Sequence, residues 1–396
     1  MMRLYDTARQ EITTFDPAAG PGGTVTLYTC GVTPYDAAHL GHAATYIAYD
    51  VAQRRMRDLG YKTRLVRNVT DVDDDILRKA RELGVYYLDL ADQEMEAFSA
   101  DMDALGLLPA ASEPRATSAI QDIQTLIAAV LANGHAYRAG GGVYFDIASW
   151  PAFGSVSHYG RDEMTRLAKE RGGNPDDPNK RSPLDFVLWQ PSAQGEPAWD
   201  SDWGAGRPGW HVECSALAMR ELDQTIDLHG GGSDLIFPHH ECEAALSGAV
   251  TGEPFVRHWV HTGMVGYEGT KMSKSLGNLV FVRDLLKSWE PAVIRLAVLA
   301  HHYRSDWEWQ DEDVREAAKR LALWRTGKEQ APAAEVPGPG RDPVDAGVLD
   351  AVRARLDDDL DTSGALAAID AATASPRAGA TQADISSAAA LLGLVL

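Results

Sequence analysis

The sequence predicts an α/β fold with a parallel sheet, followed by a helical C-terminal domain. Residues 24–30, TVTLYTC, are rich in β-branched residues and resemble a strand. A tight turn and a long helix-like segment at 37–61 follow, and then a second strand and turn at 62–74. This strand–helix–strand order implies parallel strands joined by a right-handed crossover. From about residue 284 the pattern is helical.

The middle of the chain interrupts the sheet. Residues near 78–140 have helical periodicity, and GGVYFDI is typical of a short strand. Residues 160–208 are rich in Gly, Pro and Asp, so we expect an irregular insertion there. The sheet is predicted to resume near 224–236 and 254–265.

The last part of the chain contains a break and then helices. Residues 327–346 are dense in Pro, Gly and Ala, which indicates a linker or a long surface loop. The next apolar residues recur at i+4 spacing, as expected of one amphipathic helix: Val348, Val352, Leu356 and Leu360. Alanine-rich stretches at 363–374 and 382–395 predict two more helices.

A length of 396 residues exceeds one ordinary core, so we expect two or three domains in contact. The predicted divisions are a first half of a nucleotide-binding domain at 1–90, an inserted connective subdomain at 91–200, the second half at 201–285 and a helical domain at 286–396.

Composition narrows the class of protein. No stretch of about 18 apolar residues occurs, and the N-terminus lacks a secretory pattern, so we expect a cytoplasmic protein without a membrane span. Three widely spaced cysteines do not form a disulfide framework. The formal net charge of −20 disfavours a large polyanionic substrate.

A first candidate motif is HLGH, where the first strand meets its helix. His39 and His42 are three residues apart and share one helix face, and Gly41 would let a nucleotide approach the backbone. A helix N-terminus favours phosphate. Taken alone, the HLGH motif is equally compatible with a phosphate site and with two surface histidines that have no function.

A second candidate motif is KMSKS, about 230 residues later. Lys271, Ser273 and Lys274 lie between two glycines, which is typical of a cationic loop that closes on a triphosphate. In this order, the two motifs together predict a site that binds a triphosphate.

Four further residues form a candidate metal set. Cys30 follows the first strand, Cys214 lies in GWHVECSA, and His239 and Glu243 are i, i+4 near a helix start. Two thiolates, an imidazole and a carboxylate make a plausible tetrahedral zinc site. Cys242 is adjacent, and is either packed or a competing ligand.

The HLGH and KMSKS pair resembles the signature of class I aminoacyl-tRNA synthetases. Five segments covering residues 24 to about 310 are similar to the cysteine-activating branch of that family: TCGVTPYDAAHLGH, NVTDVDD, GRPGWHVECSA, HGGGSDLIFPHHE and KMSKSLGN. The resemblance implies a Rossmann-like catalytic domain that makes cysteinyl-adenylate from L-cysteine and ATP.

The resemblance also implies roles for individual residues. His39, Gly41, His42, Lys271, Ser273 and Lys274 would contact ATP. Zinc would be held by the metal set: Cys30, Cys214, His239 and, as in the tRNA enzymes, Glu243. Cysteine or its adenylate would be held by Thr33, Thr70, Trp210 and Asp234. A zinc–thiolate bond separates cysteine from serine, because zinc favours the soft sulfur.

Two enzyme families share this branch, and they differ in the acceptor. TPYDAAHLGHAATY, HTGMVGYEG and LAVLAHHYRSDWEWQDE resemble the mycothiol-pathway ligases, which use an amino-sugar amine. SEPRATSAIQDI, KRSPLDFVLW and Glu243 are similar to cysteinyl-tRNA synthetases. Residues 346–396 carry no aromatic residue and a net charge of −4 (three Arg, seven Asp), which does not suit anticodon binding.

We therefore expect a small amino-sugar acceptor in preference to tRNA, and a monomer. Another amine acceptor is a further alternative. A synthetase-like protein without catalysis is disfavoured, because it would have no physical need for both HLGH and KMSKS.

Overall fold

The computed structural model describes residues 1–35, 39–272, 277–326, 347–374 and 380–396. Its strands are β1 (Arg3–Asp6), β2 (Glu11–Thr14), β3 (Thr24–Val32), β4 (Lys62–Val69), β5 (Ala136–Ala139), β6 (Gly142–Phe145), β7 (Phe186–Gln190), β8 (Arg207–Pro208), β9 (Ile226–Gly232), β10 (Val256–Thr262), β11 (Val265–Tyr267), β12 (Thr270–Lys271) and β13 (Trp307–Glu308).

The α-helices of the described residues are α1 (Leu40–Asp58), α2 (Asp74–Leu83), α3 (Tyr87–Ala104), α4 (Ile120–Ala132), α5 (Arg161–Glu170), α6 (Trp210–Leu222), α7 (Glu241–Thr251), α8 (Val282–Leu285), α9 (Pro291–Leu299), α10 (Asp311–Thr326), α11 (Val348–Leu356), α12 (Thr362–Ala374) and α13 (Gln382–Leu391). None of these is long and apolar enough to cross a membrane.

A four-stranded parallel sheet organises the catalytic half. Its strand order is β10-β9-β3-β4, and all three pairings are parallel. Helices α1 and α6 each contact the sheet. The buried β-branched residues of β3 and β4 explain why they lie inside a two-sided core. The predicted fold class is confirmed, and the carboxyl ends of β3, β4, β9 and β10 share one edge.

The insertion is more regular than its composition predicts. An antiparallel sheet runs β5-β6-β7-β8, and α5 precedes β7. The prediction of an irregular segment at 160–208 was therefore wrong in part. Met164 and Leu167 form a buried face of α5, and Phe186 and Leu188 are buried side chains of β7. These few apolar residues stabilise regular structure despite the surrounding Gly and Pro.

The C-terminal helices pack on the catalytic domain. Helices α9, α11 and α13 each contact α1, and all four contribute to one apolar core. Arg295 on α9 is fully buried; it pairs with Asp50 of α1 and donates to the Leu392 carbonyl at 2.6 Å. The three predicted helices are present, although α11 ends before Leu360, which has a positive φ of 51°. The predicted linker at 327–346 lies outside the described residues.

Candidate active site and metal centre

Four buried side chains converge at the carboxyl edge of the sheet. Cys30 lies near the end of β3 and Cys214 on α6, whereas His239 lies in the turn just before α7 and Glu243 in the first turn of α7. One potential ligand atom from each lies within 4.8 Å of all the others. All four residues are buried. The fold therefore brings together the four residues of the predicted metal set, although they lie up to 213 positions apart.

The donor atoms suit a zinc ion. The Nε2 atom of His239 is buried without a hydrogen-bond partner among the described residues, and its Nδ1 lies 2.9 Å from His211 Nδ1. Glu243 Oε1 is 3.5 Å from that Nε2 and 4.0 Å from Cys30 Sγ. Two sulfurs, one imidazole nitrogen and one carboxylate oxygen are ligands that Zn²⁺ prefers.

Burial explains the electrostatics of this group. Desolvation, more than any neighbour, raises the pKa of the Cys30 and Cys214 thiols and of the Glu243 carboxyl, and lowers the pKa of His239. Each charged form is thus disfavoured in the protein alone. A bound divalent cation would compensate the thiolates and the carboxylate, so the donor set fits a metal ion better than an unliganded core.

A second group of possible ligands overlaps the first and contains Cys30, His229, His240 and Glu243. Its imidazoles are already engaged: His229 Nε2 is 2.9 Å from Glu243 Oε2, and His240 Nδ1 is 2.7 Å from His261 Nε2. The partnerless nitrogen of His239 therefore favours the first group as the metal position.

Sequence reasoning missed the histidines that surround the metal set: His211, His229, His240 and His261. A signal existed, because GWHVECSA, HGGGSD, PHHE and WVHTG each carry a histidine near the same sheet edge. The structure separates Cys242 from the metal set. It belongs to an apolar cluster with Ala245 and Leu246, and it is absent from both possible ligand groups of the described residues.

The HLGH motif forms the first turn of α1. His39 is the N-cap residue, and its Nδ1 accepts the Gly41 N–H at 3.1 Å. The His39 and His42 rings stack with centroids 3.9 Å apart, so the two imidazoles share one face as predicted. A side chain at Gly41 would place its Cβ 2.9 Å from His39 Cε1. The glycine thus makes room for the His39 ring, a reason that the sequence did not reveal.

The KMSKS motif is described only in part. Lys271 ends β12, whereas Ser273 and Lys274 lie outside the described residues. Just after them, the Val280 carbonyl accepts the Leu40 N–H at 2.8 Å. The backbone that follows KMSKS is therefore joined to the first turn of α1. The ATP contacts assigned to these residues stay predictions.

Of the four residues predicted to bind the amino acid, Trp210 contacts the metal set, and the other three each follow a strand of the parallel sheet. Trp210 opens α6 and stacks on His239 with centroids 4.1 Å apart. Thr33 follows β3 and donates to Asp73 Oδ2 at 2.9 Å, and Asp234 lies in the turn after β9. Thr70 follows β4 and accepts from Asn68 Nδ2 at 3.1 Å. Their roles in binding cysteine stay predictions.

A parallel sheet with HLGH at the start of its first helix, joined by backbone to the segment that follows KMSKS, is typical of the class I synthetase type of ATP-dependent ligase. The family model for the tRNA synthetases class I (C) catalytic domain matches residues 18–319, and the chain belongs to this family. Among solved structures, methionyl-tRNA synthetase of Mycobacterium tuberculosis with methionyl-adenylate has a TM-score of 0.63 at 19% identity, over 88% of this chain and 81% of that one.

Curated relatives extend the similarity to nearly the whole chain. A protein of Thermobispora bispora is 50% identical over 93% of this chain and 89% of its own length. A protein of Clavibacter sepedonicus is 45% identical over 99% of both chains. A protein of Mycolicibacterium paratuberculosis is 46% identical over 100% of this chain and 96% of its own length. All three are named L-cysteine:1D-myo-inositol 2-amino-2-deoxy-alpha-D-glucopyranoside ligase.

Proposed function

We propose that this enzyme activates L-cysteine with ATP and transfers it to the amine of 1D-myo-inositol 2-amino-2-deoxy-α-D-glucopyranoside, a step of mycothiol biosynthesis. The observation that carries the cysteine assignment is the buried set of two thiols, an imidazole and a carboxylate at the sheet edge. The acceptor assignment is supported by the names of relatives that match almost the entire chain.

Cys30, Cys214, His239 and Glu243 would hold a zinc ion, which supplies a ligand position for the substrate sulfur and so selects cysteine over serine. Trp210 stacks on the His239 ring and would limit access of water to this position. Asp234 is the proposed partner of the substrate ammonium group. Thr33 and Thr70, at the ends of β3 and β4, bound the same edge.

The first step joins the cysteine carboxylate to the α-phosphate of ATP·Mg²⁺. A carboxylate oxygen attacks phosphorus, the bond to the β-phosphate bridging oxygen breaks, and pyrophosphate leaves. His39 and His42 stand at the N-terminus of α1, where an anion is stabilised and where imidazole N–H groups can donate to phosphate oxygens. Lys271 and Lys274 would offset the charge of the departing pyrophosphate.

The second step forms the amide. The neutral amine of the acceptor attacks the carbonyl carbon of the adenylate, the acyl–phosphate bond breaks, AMP leaves with the electron pair, and the amine nitrogen releases one proton. The reaction conserves atoms as cysteine, ATP and amine giving amide, AMP and pyrophosphate. Both steps share one adenylate, so the same sheet edge serves both.

Cysteine–tRNA ligase is the second candidate. It is favoured by the description of the matching family and by Glu243 in the donor set. The acidic C-terminal segment, with seven Asp and three Arg in residues 346–396, opposes it, because RNA binding requires cationic surface. Another small amine acceptor is the third alternative.

Single-turnover transfer tests the proposal. The enzyme is loaded with ATP and labelled cysteine, and the amino sugar and bulk tRNA are then offered separately. We expect labelled amide on the sugar and unlabelled tRNA. Labelled tRNA would identify the second candidate, and adenylate without either product would identify another amine acceptor. A His39→Asn variant controls for chemistry that does not use the active site, and should form no adenylate.

A further inference from the structure

A chain of hydrogen bonds leads from the N-terminal hairpin to the metal set. Thr7 Oγ1, in the turn after β1, is 2.7 Å from His261 Nδ1. His261 Nε2 is 2.7 Å from His240 Nδ1, and His240 Nε2 is 3.3 Å from Cys30 Sγ. The three inner residues are buried. The chain thus links four separate segments of the protein.

Metal binding fixes the direction of this chain. A thiolate sulfur carries no proton and can only accept, so His240 must donate through Nε2. A neutral imidazole has a single N–H, so His240 Nδ1 accepts from His261 Nε2. His261 Nδ1 then accepts from the Thr7 hydroxyl. The reverse order would place a nitrogen lone pair against the anionic sulfur.

We propose that Thr7, His261 and His240 form a positioning chain that keeps one hydrogen-bond donor on the Cys30 sulfur and thereby tunes the metal centre. Groups that hydrogen-bond to metal ligands orient them and change their donor strength. A donor on the sulfur draws charge from it, which lowers its donation to the metal and stabilises the buried thiolate. The inference rests on the proposed function only in assigning a metal to Cys30.

The Thr7 hydroxyl is not required for the turn itself. The Thr7 backbone N–H already donates to the Trp259 carbonyl at 2.9 Å, and Asp6 Oδ1 accepts the N–H of Ala8 at 2.9 Å. Backbone and carboxylate contacts therefore hold the turn. Removing the hydroxyl should disturb the His261 ring and leave the hairpin in place.

The test uses the full chain loaded with Co²⁺, whose thiolate charge-transfer band reports the electron density of the ligating sulfur. Thr7→Val removes the hydroxyl at nearly constant volume, and Thr7→Ser retains it. Thr13→Val is the matched control: it lies on the same hairpin, and its buried Oγ1 has no partner among the described residues.

We expect Thr7→Val to move the band to longer wavelength, because the sulfur keeps more charge. Zinc binding should weaken about tenfold, because the buried thiolate loses a stabilising donor and this loss outweighs the stronger donation to the metal. His240→Leu should shift both readouts further in the same direction, by about 100-fold in zinc affinity. Thr7→Ser and Thr13→Val should match the unchanged protein.

Equal spectra and zinc affinities for Thr7→Val and Thr13→Val would overturn the inference, as would a Thr7→Ser variant that behaves like Thr7→Val. No ATP or acceptor is used, so failure of the transfer reaction leaves this result unaffected. Absence of any thiolate–cobalt band in the unchanged protein would remove the metal from Cys30 and overturn the inference with it.

Discussion

Replacement of Cys214 by serine tests the metal set most directly. The side chain is buried on α6, and Ser differs from Cys by one atom, so the change alters the ligand with little change of shape. A serine hydroxyl stays protonated near neutral pH and is a poor zinc ligand compared with thiolate. The variant should therefore fold and bind zinc weakly.

The expected magnitude follows from a site of four ligands. Zinc binding to such protein sites contributes roughly 10–16 kcal/mol near pH 7, so an equal share for one ligand is about 2.5–4 kcal/mol. Each 1.4 kcal/mol is about tenfold in affinity, which gives zinc binding weaker by roughly 10²- to 10³-fold.

Zinc affinity is measured by competition with a chromophoric chelator, and activity by exchange of labelled pyrophosphate into ATP with cysteine or serine. Cys242→Ser provides the matched control, because Cys242 is equally buried but packs in the apolar cluster. The control should keep zinc affinity and the preference for cysteine over serine, and should lose about 1–3 kcal/mol of unfolding free energy through its buried hydroxyl.

Unchanged zinc affinity and cysteine-dependent exchange in Cys214→Ser would refute the reasoning. Equal loss of zinc in both variants would instead place Cys242 in the metal set, contrary to the geometry.

Three further predictions address other parts of the fold. Arg295→Met should lower the free energy of unfolding by about 3–5 kcal/mol, measured by denaturant titration, because it removes one of the two cationic partners of the buried Asp50 and leaves Arg54 and the Leu108 N–H. His42→Ala should slow pyrophosphate exchange by about 10²- to 10³-fold at unchanged zinc content, because the proposed imidazole donor to the reacting phosphate is lost. Burial raises the pKa of Asp73 from 3.8 to about 6, so between those values the folded state binds more protons than the unfolded state and this group's contribution to stability falls as pH rises. The Asp73 side chain caps α2 by accepting the Ile76 N–H, and Asp73→Asn keeps an oxygen for this bond. Thermal melts of Asp73→Asn should show a weaker decline of stability across that window than the unchanged protein.

Much of the architecture was predictable because its signals are local. The β-branched runs at β3 and β4 and the periodic segment of α1 indicated a parallel sheet with a crossover helix, and the i+4 spacing of Val348, Val352 and Leu356 indicated α11. The prediction of an irregular segment at 160–208 was wrong in part because it relied on the Gly and Pro content. Helix α5 and strand β7 are instead stabilised by a few buried side chains.

The sequence by itself determined which reactive side chains the protein has. Paired histidines and lysines suit phosphate, and thiols, an imidazole and a carboxylate suit a metal. Residue types and motif order carry that information directly. The tertiary structure decided which atoms meet. His211 contacts Nδ1 of His239, so that Nε2 of His239 stays available to the metal set. The His240 ring is oriented with its Nε2 toward Cys30 Sγ. These choices depend on ring orientations set by contacts between segments about 30 to 250 residues apart, and no local pattern encodes them.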